Sequence, residues 1–198
     1  MTSITGLDSR ATRRLQELPL PWDERMRRWS PSESYLQTIA SNDQAYYLYL
    51  NALVAELRPR TVLELGTCQG GSALFMLLAL QPLGKLISCD LGHHQPVYLQ
   101  PVRGDTWLTL VIGDTRDPGL YKKIDPGSVD LLFIDTDHTC AQVTKEWELC
   151  RRLMAPGGIV AMDDIHMNDM GLFWNALPND KVDAGHRFHH TGFGIFAA

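Results

Sequence analysis

Apolar residues in this chain fall into short continuous runs separated by glycine, proline and acidic residues, a spacing that predicts strands alternating with helices. Val62, Leu63 and Leu65 form the first run, bounded by Pro59 and Gly66, and read as a buried parallel strand. Further strands are expected at 85–90, opened by Pro82-Leu83-Gly84, and at 107–112, 128–134 and 159–162. Two more are expected between 182 and 198. Ala45, Leu48, Leu53, Ala55 and Leu57 carry a helix over 42–57 that Pro59 ends. A strongly apolar helix is expected over 73–80, with Ser72 as its N-cap. Cys140, Val143, Trp147, Cys150 and Met154 step at threes and fours, which predicts an amphipathic helix over 139–154 stopped by Ala155-Pro156-Gly157-Gly158. Shorter helices are expected at 117–124 and 172–177, and 93–104 carries no clear helix signal. The alternation implies an α/β protein: a doubly wound, Rossmann-like, mostly parallel seven-stranded sheet with an antiparallel C-terminal edge.

Length and composition narrow the class without changing that picture. The 198 residues suit one domain, with 1–57 a helical strap and 58–198 the core. Within the strap, Arg10, Arg13 and Arg14 suggest a short helix. Trp22, Trp29 and Tyr35 among prolines 19, 21 and 31 suit either a strap packed on the core or a lid over a pocket. Apolar content of 44% and charged content of 21% are ordinary for a globular protein. A net charge of −5 argues against a general nucleic-acid binder, which needs clustered Lys and Arg. No apolar run is long enough to span a membrane, and the first residues lack a secretory pattern, so a cytoplasmic protein is expected. Cys68, Cys89, Cys140 and Cys150 have no paired spacing and read as reduced, buried thiols.

Four signals sit where strands are expected to end, which is where open α/β sheets bind ligands. The first is Glu64-Leu-Gly66-Thr-Cys68-Gln-Gly70-Gly71-Ser72, a strand, glycine turn and helix. Cys68 stands where a dinucleotide fingerprint wants glycine, and Glu64 would repel a phosphate, so a cationic sulfonium ligand suits the turn better. A nicotinamide-binding domain and a turn that merely packs remain open. The second is Asp90, able to accept from both hydroxyls of a ribose or else to cap a turn. The third is Asp114, followed by Thr115, which suits a turn as readily as a ligand contact.

The fourth signal is the most specific. Strands ending in Asp135 and in Asp163-Asp164 would crowd three carboxylates onto one rim, where each raises the pKa of the others. A hard divalent cation such as Mg²⁺, Mn²⁺ or Ca²⁺ relieves that repulsion, so Asp135, Asp163 and Asp164 are candidate metal ligands. Capping of the following helix is the competing reading of Asp163 and Asp164. His138, three residues after Asp135, can take a proton from an activated hydroxyl, or instead cap a helix or contact an adenine. His166, His189 and His190 are weaker pocket candidates, and His93 and His94 read as loop residues.

The pattern Glu64-x-Gly66-x-x-x-Gly70-x-Ser72 resembles the first motif of class I S-adenosylmethionine-dependent methyltransferases. Phe133-Ile-Asp135-x-Asp137-His138, a helix, Leu153-x-x-Pro156-Gly-Gly158 and Asp163-Asp164 are similar to methyltransferase family 24. They also resemble macrocin and mycinamicin O-methyltransferases and cephalosporin-hydroxylase-like proteins. Catechol O-methyltransferases carry Asp-x-x-Lys and Asp-Asn at these places, so His138 departs from that group. The resemblance covers 61–165 and implies a Rossmann-like methyltransferase fold using S-adenosyl-L-methionine. Glu64, Gly66, Thr67, Gly70, Ser72, Asp90, Asp114, Thr115 and Asp135 would contact the cofactor, Asp114 at the adenine edge. Asp135, Asp163 and Asp164 would hold Mg²⁺, with His138 and Asp135 catalytic. The expected function is metal-assisted O-methylation of a small hydroxylated metabolite: a sugar, a catechol-like ring or a polyketide. The alternatives are a metal-independent methyltransferase, a hydroxylase-like protein of the same fold, or an NAD-dependent oxidoreductase. No nucleic acid or membrane partner is expected, and enzymes of this shape commonly form homodimers.

Overall fold

The computed structural model describes residues 3–15, 46–80, 82–178, 180–185 and 190–198. Among them are seven strands: β1 (Thr61–Leu65), β2 (Lys85–Asp90), β3 (Leu108–Ile112), β4 (Val129–Ile134), β5 (Met154–Asp163), β6 (Lys181–Asp183) and β7 (Phe193–Ala197). They form one sheet in the order β3-β2-β1-β4-β5-β7-β6. The first five strands are parallel, while β7 runs antiparallel to β5 and β6 antiparallel to β7. The expected fold class and its antiparallel edge are therefore present.

Alternate residues of the central strands face opposite helical layers, which is why these strands read as unbroken apolar runs. Leu131 and Phe133 of β4 join one core cluster, with Ile4 and Leu7 of α1 (Ile4–Arg14), Tyr49 and Leu53 of α2 (Tyr46–Leu57), and Leu74 and Phe75 of α3 (Gly71–Ala79). Leu132 and Ile134 join the other, with Val143 and Cys150 of α4 (Cys140–Cys150) and Phe173 and Trp174 of α5 (Met170–Ala176). Every residue of α3 is buried, so its continuous apolar sequence reflects burial on all sides. Helix α1 packs on α2, and Arg10 and Arg14 both bind Glu56. No helix among the described residues is long and apolar enough to cross a membrane.

Several expectations shift. Helix α3 starts at Gly71 behind Gly70, which sits at φ 86° and has no side chain to cap with, and Ser72 lies inside the helix rather than capping it. Short 3-10 turns form at Val97–Val102, where no helix was expected, and at Pro118–Tyr121. The helix expected over 139–154 ends at Cys150 because Met154 already pairs with Val129. Ala155-Pro156-Gly157-Gly158 is an irregularity within β5, where the register jumps from Val129↔Met154 to Leu131↔Ile159 and Gly157 takes φ +81°. All four cysteines are free, but Cys68 is exposed and Cys140 half-buried, so only Cys89 and Cys150 are buried thiols. The first four residues of the helix expected over 42–57, the aromatic strap around Trp22, Trp29 and Tyr35, and His189 lie outside the described residues.

Candidate active site

Strand order reverses direction on either side of β1, and the crevice at that switch point is where ligands bind in such sheets. The ladders run one residue beyond the strands there: Gly66 N–H donates to Cys89 O (2.8 Å) and Asp135 N–H to Leu65 O (2.9 Å). Gly66 has φ +99°, and a Cβ on it would lie 1.8 Å from Asp135 O, so only glycine fits. Above this floor opens a cleft of about 800 Å³. Its wall includes Gly66, Asp90, Asp114, Thr115 and Asp135 of the expected cofactor contacts, but not Glu64, Thr67, Gly70 or Ser72.

Glu64 stands behind that wall. It shares a face of β1 with Val62, towards α3, and is fully buried. Ser72 Oγ donates to Glu64 Oε1 (2.5 Å), and Ser88 Oγ, on the paired residue of β2, donates to Oε2. Thr67 Oγ1 bonds Ser88 Oγ at 2.5 Å. Burial, opposed by the two serine bonds, pushes the Glu64 carboxyl up to about 7. In this arrangement Glu64, Thr67 and Ser72 brace the glycine turn from within. Gly70 clears room for Leu99, whose Cγ would sit 2.6 Å from a Cβ there.

Asp90 does two things. Its Oδ2 accepts from Cys68 N–H (2.9 Å) and its Oδ1 from Gly92 N–H (2.7 Å), tying the glycine turn to the end of β2. It also lines the cleft, and a carboxylate retains further lone pairs. Asp114 binds Arg116 through Nε (3.0 Å) and Nη2 (2.8 Å), and that guanidinium holds its carboxyl down to about 2. Thr115 is nearly buried; its Oγ1 donates to Glu146 Oε1 (2.5 Å) and its carbonyl accepts from Tyr121 OH (2.5 Å).

The acidic rim forms as expected, because Ile134 pairs with Met162 and the residues after them come level. His138 Nε2 lies 3.1 Å from Asp135 Oδ1 and 3.1 Å from Asp164 Oδ2. Burial pulls the imidazole pKa down, but the bond and charge of Asp135 and the charges of Asp164 and Asp137 together leave it raised. Burial, then Asp135 and Asp164, push Asp163 well up. His138 and Asp164 hold φ of +25° and +55°, conformations non-glycine residues seldom adopt away from functional sites. The loop after β5 supports them: Asn168 Nδ2 donates to His138 O (3.0 Å), and Asp169 Oδ1 accepts from Cys140 N–H (2.7 Å).

The three expected metal ligands, Asp135, Asp163 and Asp164, share the cleft wall with His138. His138 Nε2 lies between Asp135 and Asp164, within hydrogen-bond reach of an oxygen of each. Among the described residues no three His, Cys, Asp or Glu side chains converge as metal ligands.

The structure also brings in residues the sequence left aside. Tyr46 and Tyr47 of α2 line the cleft, as do Arg116, Gln142, His93 and His94. Behind it, Glu146 is fully buried and bonds Thr115, Gln142 and Thr136. Gln142 and Glu146, four apart on α4, were the available signal, whereas nothing near Tyr46 in sequence hinted at the rim. His166 pairs with Asp183 (2.6 Å) and is not on the cleft wall.

The profile of a family described as a methyltransferase domain matches residues 63–165. A rhamnosyl O-methyltransferase of Mycobacterium leprae is 26% identical over 146 residues, 68% of this chain and 62% of that protein. The catechol O-methyltransferase of Sus scrofa is 34% identical over 92 residues, 43% of this chain and 50% of that protein. The chain thus spans about half to three-fifths of the length of these relatives. In fold, the chain is similar to an O-methyltransferase of Streptomyces achromogenes solved in complex with SAM, with a TM-score of 0.65 at 16% identity over 89% of this chain and 96% of that one.

Proposed function

The chain belongs to this methyltransferase-domain family, and from that premise we propose that it transfers a methyl group from S-adenosylmethionine to a hydroxyl oxygen of a small molecule, with His138 as the base. The observation that carries the reading is His138 Nε2 held between Asp135 and Asp164, on a rim that shares the cleft with Gly66.

The cofactor fits what is present: Gly66 lets β1 and the Asp135 backbone close together as the floor of the cleft, and Gly66, Asp90 and Thr115 all line it. Asp90 retains acceptor capacity for ribose hydroxyls after binding Cys68 and Gly92. When bound, S-adenosylmethionine supplies an electrophilic sulfonium methyl group. With Nε2–H held by the two carboxylates, His138 takes the acceptor's hydroxyl proton at Nδ1. Asp135 Oδ1 and Asp164 Oδ2 then stabilise the imidazolium formed. The same two carboxylates fix the ring, so positioning supplies much of the effect. The metal-assisted version rests on the three carboxylates alone; the imidazole between two of them favours proton transfer by His138.

The relatives' names suggest the first acceptors to try, a rhamnoside and catechol. Incubation with methyl-labelled S-adenosylmethionine should yield a labelled methyl ether. Absence of transfer to either class, and to a wider panel of hydroxyl compounds, would overturn the reading. EDTA should leave turnover unchanged, and a loss restored by Mg²⁺ would reinstate the metal-assisted version.

A further inference from the structure

Helix α2 lies before the family-matched region, yet its first described residue reaches the acidic rim. The Tyr46 hydroxyl donates to Asp135 Oδ2 at 3.0 Å, while Asp135 Oδ1 faces His138 Nε2 at 3.1 Å. One carboxylate thus carries the tyrosine on one oxygen and the histidine on the other. The tyrosine ring has little freedom: it is 3% exposed, stacks on Phe193 at 5.5 Å and 29°, and meets Tyr47 edge-on at 4.7 Å. We propose that Tyr46 is a positioning residue that sets the plane of the Asp135 carboxylate, and through it the orientation of His138, for proton transfer.

The physical case is one of rotation. A carboxylate bonded through one oxygen turns about its Cβ–Cγ bond, and the second oxygen follows. Anchoring Oδ2 to a ring clamped in the aromatic core removes that freedom, so Oδ1 stays directed at His138. Burial, with the charges of Asp135 and Asp163, pushes the Tyr46 phenol well above its ordinary pKa, so it remains a donor. The helix supplies its own contrast: Tyr49, also buried, donates to Asp8 Oδ1 at 2.7 Å, on the side of α1. The two tyrosines make the same kind of bond, and only Tyr46 makes it to the rim.

This inference rests on the methyl-transfer reading, and two measurements separate their fates. Tyr46→Phe keeps the ring and removes the bond. It should lower kcat by about 10-fold, with KM for S-adenosylmethionine changed less than about 2-fold. Tyr49→Phe should leave both constants unchanged while lowering Tm. In proton–nitrogen correlation spectra of the histidine rings, recorded on protein without added ligand, the His138 Nε2 signal should move in Tyr46→Phe and stay in Tyr49→Phe. Wild-type kcat together with an unmoved His138 signal in Tyr46→Phe would overturn the positioning role alone. Absence of turnover by the wild type with every acceptor would overturn the methyl-transfer reading, and an unmoved His138 signal would then overturn the positional one as well.

Discussion

His138 is a residue on which burial and neighbouring charge pull in opposite directions. Burial favours the neutral imidazole, while Asp135, Asp164 and Asp137 favour its protonated form and leave the pKa above 6.5. A base must be neutral, so kcat/KM should rise with pH through a midpoint above 6.5, and a midpoint at or below that value counts against the role. His138→Ala should slow transfer by about 10²-fold or more, measured by single-turnover methylation. Glu64 gives a prediction about stability. Its folded pKa of about 7 lies above the ordinary 4.5, so the folded state binds the extra proton between those values. Stability from this group is therefore greatest in acid and falls as pH rises from 4.5 to 7, by a limit of about 3 kcal/mol. Glu64→Gln still bonds Ser72 and Ser88 and should melt at or above the wild type beyond pH 7, flattening that slope. A steeper slope in the variant would refute this account.

Elements were legible where one physical cause dominated. Strands β1, β2 and β4 declare themselves because both their faces are covered, and α4 because one face only is buried. The start of α3, the turn at Val97–Val102 and the irregular stretch of β5 were not, since each depends on a partner distant in sequence. Leu99 fills the space Gly70 leaves, and Val129 engages Met154 before the strand proper begins. Glu146 joins elements in the same way, tying Thr115 after β3 and Thr136 after β4 to α4. Glu146→Gln keeps an acceptor and a donor among the same partners and should cost less than Glu146→Leu. Glu146→Leu leaves the Thr115 and Thr136 hydroxyls without their acceptor and should cost about 2–3 kcal/mol in denaturant unfolding. Equal stability of the two variants would show that the network does not hold these loops.

At the scale of the molecule, the proposed ligand should couple to the whole fold, because its cleft draws residues from α2 and from the ends of β1 to β5. S-adenosylmethionine at about 100 times its Kd should stabilise the protein by about 2.7 kcal/mol. A thermal shift with S-adenosylmethionine and none with NADH is expected, and the reverse would favour the oxidoreductase alternative. By itself the sequence determined the layered α/β architecture, the glycine turn, and the convergence of Asp135, His138, Asp163 and Asp164. These follow from patterns within ten or twelve residues and from the rule that parallel strands end level. Tertiary structure alone decided what those residues touch. It turned Glu64 inward to two serines, set an imidazole between two carboxylates, and brought Tyr46 from 89 positions away onto Asp135. The reason is physical: periodicity reports which face of an element is buried, whereas the partner of a polar group depends on packing between elements far apart in the chain.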